Sequence, residues 1–250
     1  MPTVDSIRDS TVVVTGGAQG LGLEIARAVT GAGAHVVLLD VDVAALAAAG
    51  AELGSCCTAL TCDIRDSAAV DAALRTVGDQ RPGGVRALVN NAGIFTNDAI
   101  EAECPDRAAL AFAVNVQGTM TVTNAVLEQE LLDPGTGQIV FVNSSAGDPL
   151  GTGTGASERH YAASKGALTA YAKAIAGVCA RTGGIRVTTL YPGGMDTNLY
   201  ENAGMAPEAS HGQSWMMPPA RVAAAVAFVL SMPADTVVSR ITLGPNLTRR

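Results

Sequence analysis

Residues 11–40 read "TVVVTGGAQGLGLEIARAVTGAGAHVVLLD", and the order of patterns in this stretch decides the fold. "TVVVT" (11–15) and "HVVLLD" (35–40) are continuous apolar runs bounded by turn residues or charge, as expected of strands buried on both faces. Between them a glycine-rich turn opens directly into an Ala-rich helical pattern. Glycines at such a turn let the backbone approach a pyrophosphate, and the following helix N-terminus supplies free N–H groups and a positive dipole end. Gly16, Gln19, Gly20, Leu21 and Gly22 are therefore the expected phosphate-binding residues. Asp40 ends the second run, where a carboxylate accepts hydrogen bonds from ribose hydroxyls and repels a 2′-phosphate. No arginine or lysine stands beside Asp40 or in the glycine turn, so NAD is expected in preference to NADP.

Outward from this unit the same alternation continues. Further apolar runs lie at 56–62, 86–90, 138–144 and 185–191, separated by helical patterns near 43–53, 66–77, 106–129 and 157–181. A helix at about 219–230 and an edge strand within 236–246 close the chain. Repeated βαβ units predict an α/β, Rossmann-type doubly wound parallel sheet with helices on both faces. No linker or compositional break divides residues 1–250, so a single domain is expected. The Gly-, Met-, Asn- and Pro-rich segment 193–218 fits neither period and is a candidate lid or substrate loop.

Composition narrows the function classes. A net charge of −7 without a basic cluster argues against nucleic acid as a partner. The first residues lack a signal pattern and the longest apolar run is too short for a bilayer, so a soluble, cytoplasmic protein without membrane partners is expected. The five cysteines show no metal-ligand spacing; reduced, buried thiols and no metal site are expected.

The stretch "RHYAASKGA" (159–167) carries one of two lysines in a chain with fourteen arginines. Tyr161 and Lys165 are four apart in a helical pattern and project from one face. An ammonium beside a phenol favours the phenolate, turning tyrosine into a general base for an alcohol or, in reverse, an acid for a carbonyl. Lysine suits this position because its compact ammonium carries three donors, enough for the phenol and a ribose together.

Seven ordered motifs extend over nearly the whole chain: "TGGAQGLG" (15–22), "CDI" (62–64), "NNAG" (90–93), "VNVQG" (114–118), "NSSAG" (143–147), "YAASK" (161–165) and "PGGMDT" (192–197). In this order they resemble the short-chain dehydrogenases/reductases, single-domain branch. The resemblance implies that Asp63 and Ile64 hold the adenine, and that Asn90, Ala92 and Gly93 back the cofactor. It implies that Asn115 organises a proton-relaying water and that Ser145 holds the substrate oxygen, with Ser144 the alternative. Tyr161 and Lys165 would touch the cofactor as well as act in catalysis, and Pro192, Gly193 and Thr197 would line the nicotinamide side. A homo-oligomer, tetramer or dimer, would form through the long helices at 106–129 and 157–181.

Two departures stand out. The serine lies further from the tyrosine than is usual in the family, so 147–159 reads as an insertion over the substrate site; counting back by the usual interval lands on Asp148, which has no hydroxyl. The C-terminus lacks the glycine-rich "DGG" close common in this branch, which bears on contacts of that tail with neighbouring subunits and substrate. His160 and His211 are expected to be pocket wall or surface. The reading is an NAD(H)-dependent oxidoreductase for a secondary alcohol and a ketone, with a moderately hydrophobic substrate favoured by Leu199, Trp215, Met216 and Met217. The alternative is a non-catalytic NAD-binding regulator or scaffold with the same fold.

Overall fold

The computed structural model describes residues 7–80, 84–97, 106–151, 158–182 and 184–246. Strands β1 (Thr11–Thr15), β2 (His35–Asp40), β3 (Cys57–Thr61), β4 (Ala87–Asn90), β5 (Gln138–Val142), β6 (Arg186–Pro192) and β7 (Arg240–Leu243) form one sheet. All neighbours are parallel and the order is β3-β2-β1-β4-β5-β6-β7. Chain direction across the sheet reverses between β1 and β4, so a crevice opens beyond the carboxyl ends of these two strands.

Alternation along each strand divides the core in two. Val12, Val14, Val36, Leu38, Val140 and Val142 pack on one face with α1 (Gly20–Gly31), α2 (Val43–Leu53) and the helix Pro219–Leu230 near the C-terminus. Val13, Val37, Leu39, Ile139 and Phe141 pack on the other with α3 (Ser67–Gln80), the helix Thr119–Glu128 and the long helix Arg159–Thr182. Burial on both faces explains why these strands read as unbroken apolar runs.

The helix expected over 106–129 is in fact three pieces: α4 (Asp106–Phe112), a π-helical segment (Ala113–Gly118) and α5 (Thr119–Glu128). A π register widens one turn and re-aims the side chains inside it. After α6 (Arg159–Thr182) and β6, the 193–218 segment carries only a short helix, α7 (Pro207–Ser210), and a bridge between Met195 and Met217. Helix α8 (Pro219–Leu230) then leads to β7, which pairs with β6 from Arg240 to Leu243. Of the cysteines, Cys62 and Cys179 are buried as expected, Cys57 is half-buried and Cys56 is exposed, while Cys104 lies outside the described residues.

Candidate active site

The glycine turn depends on two close approaches. Gly16 has φ +61°, and a Cβ there would stand 2.8 Å from the Ala92 Cα; a Cβ on Gly22 would stand 2.0 Å from the Gly16 carbonyl oxygen. Gln19 precedes α1 without capping it through its side chain. The first N–H groups of α1 are thus left for an external acceptor at the crevice. Asp40, 9% exposed, accepts hydrogen bonds from the Ala18 N–H (3.0 Å) and the Asp42 N–H (3.1 Å). The carboxylate therefore also holds the glycine turn to the end of β2.

A cleft of about 420 Å³ starts at Asp40, Cys62 and Ile64, and passes Gly16, Gln19, Gly20 and Leu21. It continues along Asn91, Ala92 and Gly93 to Tyr161 and Lys165, with Met195 and Thr197 in its wall. A smaller chamber of about 140 Å³ lies beyond, walled by Phe95, Ser144, Ser145, Glu158, Pro192, Gly193, Tyr200 and Trp215. Asn143, Tyr161, Met195 and Leu199 line both spaces. A dinucleotide fits the first: apolar walls of Val41, Ile64 and Leu110, a carboxylate at one end, an uncapped helix at the turn, and an ammonium at the other end.

Tyr161 is buried, and burial pushes its phenol up to about 12, against the lowering effect of a hydrogen bond with the Ser144 side chain; the Glu158 carboxylate adds to the upward push. Lys165 is 4% exposed, and burial brings its ammonium down to about 8. The expected depression of the phenol by Lys165 is absent in this arrangement. The ammonium donates to the Val142 carbonyl at 3.4 Å and lies 5.8 Å from the centre of the tyrosine ring, so desolvation outweighs its field.

Several expectations move once side chains are placed. The hydroxyl at the phenol is that of Ser144, with Ser145 elsewhere in the chamber wall. Ser144 caps the 3₁₀ turn Ser145–Gly147 by accepting from the Ala146 N–H at 3.1 Å, which turns its own side chain inward. Asn90 does not reach the cleft: its amide donates to Thr123 at 2.9 Å, and Asn91 takes the wall position while donating to the Thr15 and Gly16 carbonyls. The Asp63 carboxylate is engaged by the Arg65 guanidinium (2.6 Å at the shortest) and the Arg65 N–H. Gly22 packs against the turn rather than facing the cleft, and Pro192 and Gly193 line the smaller chamber.

Asn115 is fully buried in the π segment. Its Oδ1 accepts from the Ile94 N–H (2.8 Å), and its Nδ2 donates to the Ile94 carbonyl (2.9 Å) and to Ser164 (3.1 Å). Both amide hydrogens are committed, which leaves a single Oδ1 lone pair for the expected water. What the side chain does here is lock the irregular segment following β4 to α6, beside Tyr161.

The 193–218 segment contributes Met195, Leu199, Tyr200 and Trp215 to the chamber wall. Trp215 packs on the Gly194 backbone, where any Cβ would stand 2.4 Å from the indole. Phe95, Tyr161, Tyr200 and Trp215 form an edge-to-face chain with centroid separations of 4.9–5.2 Å. His211 bridges Asp196 (2.8 Å) and Glu201 (3.2 Å) within the segment, and these hydrogen bonds hold its imidazole above the usual range. The insertion is only partly described, since residues 152–157 lie outside the described residues. Its start is anchored: the Asp148 side chain, 2% exposed, pairs with Arg240 of β7 and accepts from Thr242 at 3.2 Å. Arg240 in turn lies over the Tyr191 ring, 4.6 Å from its centre.

Sequence reasoning missed Asn91, Arg65 and Glu158. Asn91 stood one place along in the quoted "NNAG", and Glu158 stands at helical spacing before Tyr161, a signal that only gains meaning once α6 is known to begin there. Among the described residues no group of side chains fits a metal ion, and no helix is long and apolar enough to cross a membrane.

A family model described as short chain dehydrogenase matches residues 10–207. A galactitol 2-dehydrogenase (L-tagatose-forming) of Cereibacter sphaeroides is 34% identical over 247 residues, covering 96% of this chain and 94% of that protein. A 3-ketoacyl-(acyl-carrier-protein) reductase of Brucella melitensis, solved with NADH, superposes with a TM-score of 0.79 at 26% identity, covering 96% of this chain and 98% of the other. An alcohol dehydrogenase of Thermococcus sibiricus, solved with 5-hydroxy-NADP, shares the fold with a TM-score of 0.81 at 23% identity, covering 96% and 98%.

Proposed function

The chain belongs to the short-chain dehydrogenases, oxidoreductases acting on CH–OH groups, and from that premise we propose that it interconverts a secondary alcohol and a ketone with NAD(H), with Tyr161 as the acid/base. The observation that carries this reading is the place of Tyr161, which lines the long cleft and the small chamber alike. A cofactor in the first and an alcohol in the second meet at this phenol.

A bound nicotinamide supplies hydride acceptance or donation at carbon. The chain's residues handle the oxygen. Tyr161 passes its proton to the carbonyl oxygen in reduction and receives the hydroxyl proton in oxidation. Burial and Glu158 favour the neutral phenol, so the cofactor-free site is poised as an acid. Ser144 orients the same oxygen through its hydroxyl. Lys165 supplies an ammonium at the Gly93 end of the cleft, where its donors suit ribose hydroxyls and its charge steadies a phenolate. Asn115 holds Ile94 and Ser164 in register around the tyrosine.

The preference for NAD rests on Asp40 in the cleft wall. Arg65, in the same wall, is occupied by Asp63 rather than offered to a 2′-phosphate. Residues 193–218 act as the lid, with Leu199, Tyr200 and Trp215 over the chamber. Exposed Leu110 and Phe112 on α4 and Val178 on α6 favour self-association through those helices. Tyr161→Phe is expected to lower turnover at least about a hundredfold while NADH binding persists; retention of most of the turnover would overturn the assignment. Fluorescence titration with NADH and NADPH tests the cofactor preference, and tighter NADPH binding would remove the argument from Asp40.

A further inference from the structure

We propose that the guanidinium groups of Arg86 and Arg186 form a binding site for a small inorganic anion, chloride, at the amino end of the sheet. Arg86 directly precedes β4 and Arg186 opens β6, whereas the long cleft lies beyond the carboxyl ends of the strands. The site is separate from the active site and does not depend on the oxidoreductase reading.

Backbone pairing fixes both residues. The Arg86 N–H donates to the Thr11 carbonyl at 2.8 Å, and the Arg86 carbonyl accepts from the Gln138 N–H at 3.0 Å. Gln138 of β5 stands level with Arg186, whose own N–H donates to the Gly137 carbonyl at 2.9 Å. One strand therefore separates the arginines, a backbone gap of roughly 10 Å that two long side chains can close. Both are drawn in from solvent, with Arg86 8% exposed and Arg186 4%.

Donors outnumber acceptors here. The Arg186 Nη1 donates to the carbonyls of Met232, Pro233 and Thr236 and its Nη2 to that of Thr136, but its Nε is buried without a hydrogen-bond partner. The Arg86 Nη1 is likewise buried without one. A guanidinium only donates, so neither side chain can serve the other. Charge is unbalanced as well. Asp133 acts on Arg86 and Asp235 on Arg186 through their fields alone, and among the described residues neither arginine forms an ion pair. Burial brings Arg186 down to about 10, and the positive field of Arg86 adds to that fall. Two like charges withdrawn from water are costly unless an opposite charge joins them.

An anion supplies the acceptor and the charge together. The four carbonyls around Arg186 would repel a multiply charged phosphate or sulfate, and the burial of both side chains leaves little opening for an organic anion or a carboxylate of another chain. Chloride is small and carries a single charge.

The test is urea denaturation of the full chain, of Arg86→Met and of Arg86→Glu, in sodium chloride and in sodium gluconate at matched ionic strength. Raising chloride from about 5 to about 200 mM is expected to lower the unfolding constant of the unaltered protein about fivefold or more, as for a site of roughly 20 mM affinity. Gluconate, too large for the site, is expected to lack this effect. Arg86→Met keeps the apolar stem but not the charge, and Arg86→Glu places a carboxylate beside Arg186; both are expected to lose the chloride response. Equal effects of the two salts on the unaltered protein overturn the proposal, as does an undiminished chloride response in Arg86→Met. Should the variants fail to fold, crystals of the unaltered protein soaked in bromide locate the ion by anomalous scattering. A peak between Arg86 and Arg186 together with the chloride response upholds the site, and no peak there overturns it.

Discussion

The hydroxyl of Ser144, a residue that also caps the 3₁₀ turn after β5, stands beside the phenol of Tyr161 in the chamber wall and counters part of its upward shift. Ser145 begins that turn and lines the chamber without this contact. Ser144→Ala is therefore expected to lower kcat by about a hundredfold, in the range for removing one donor from a reacting oxygen. Ser145→Ala is expected to stay within about fivefold of the unaltered protein, because it forfeits no bond to the reacting group. Steady-state kinetics on both variants ranks the two hydroxyls, and the reverse order would return the role to Ser145.

Lys165 burdens the fold it serves. Burial lowers its ammonium from 10.5 to about 8, which corresponds to roughly 3 kcal/mol against the folded state when the group is charged. The burden is complete below pH 8. Between pH 8 and 10.5 the unfolded chain keeps a proton that the folded chain has released, so stability rises with pH there. Lys165→Met is expected to stabilise the cofactor-free protein at pH 7, to flatten that rise, and to abolish turnover. Urea denaturation at pH 7 and 9.5 measures the first two effects.

Two helical glycines should respond oppositely to alanine. A Cβ at Gly22 meets the Gly16 carbonyl oxygen at 2.0 Å, so the glycine turn must move. Gly22→Ala is expected to weaken NADH binding by more than tenfold and to lower the melting temperature. Gly50, inside α2, would meet only the Ala59 methyl at 3.7 Å. Gly50→Ala is expected to raise stability by about 0.5–1 kcal/mol without touching cofactor binding, since glycine is the poorer helix former. Thermal melts and NADH titration separate the pair.

Arg240 and Asp148 tie β7 to the loop that carries Ser144. Arg240→Ala leaves a carboxylate that is 2% exposed with Thr242 and the Leu150 N–H as its remaining partners. A loss of about 1–2 kcal/mol is expected, between the scale of a surface pair and that of a buried one, since the Arg240 side chain is 28% exposed. Turnover should fall as well, because the Ser144 loop loses its anchor. Arg240→Lys restores the charge but not the planar stack on Tyr191, and should recover part of both. Denaturation midpoints and kcat follow the series; Arg240→Ala with unchanged kcat would show that the anchor does not position Ser144.

Much of this protein was legible before any side chain was placed. Continuous apolar runs and the glycine turn determined the parallel sheet, because strands buried on both faces and helices buried on one leave different periods in the chain. The same local rules located Asp40 at the end of β2 and Tyr161 and Lys165 on one helical face. Tertiary structure decided what depends on meetings between distant segments. It put the Ser144 hydroxyl beside the phenol and Ser145 elsewhere in the same chamber wall, because the direction of a hydroxyl follows from the turn it caps. It moved the cleft wall from Asn90 to Asn91, because adjacent residues leaving a strand point to opposite sides. It set Asp148 against Arg240, ninety-two residues apart, and gathered Phe95, Tyr161, Tyr200 and Trp215 around one chamber. It also reversed the expected balance at the phenol: spacing places an ammonium near Tyr161, but burial, which no local pattern encodes, raises the phenol and lowers the lysine together.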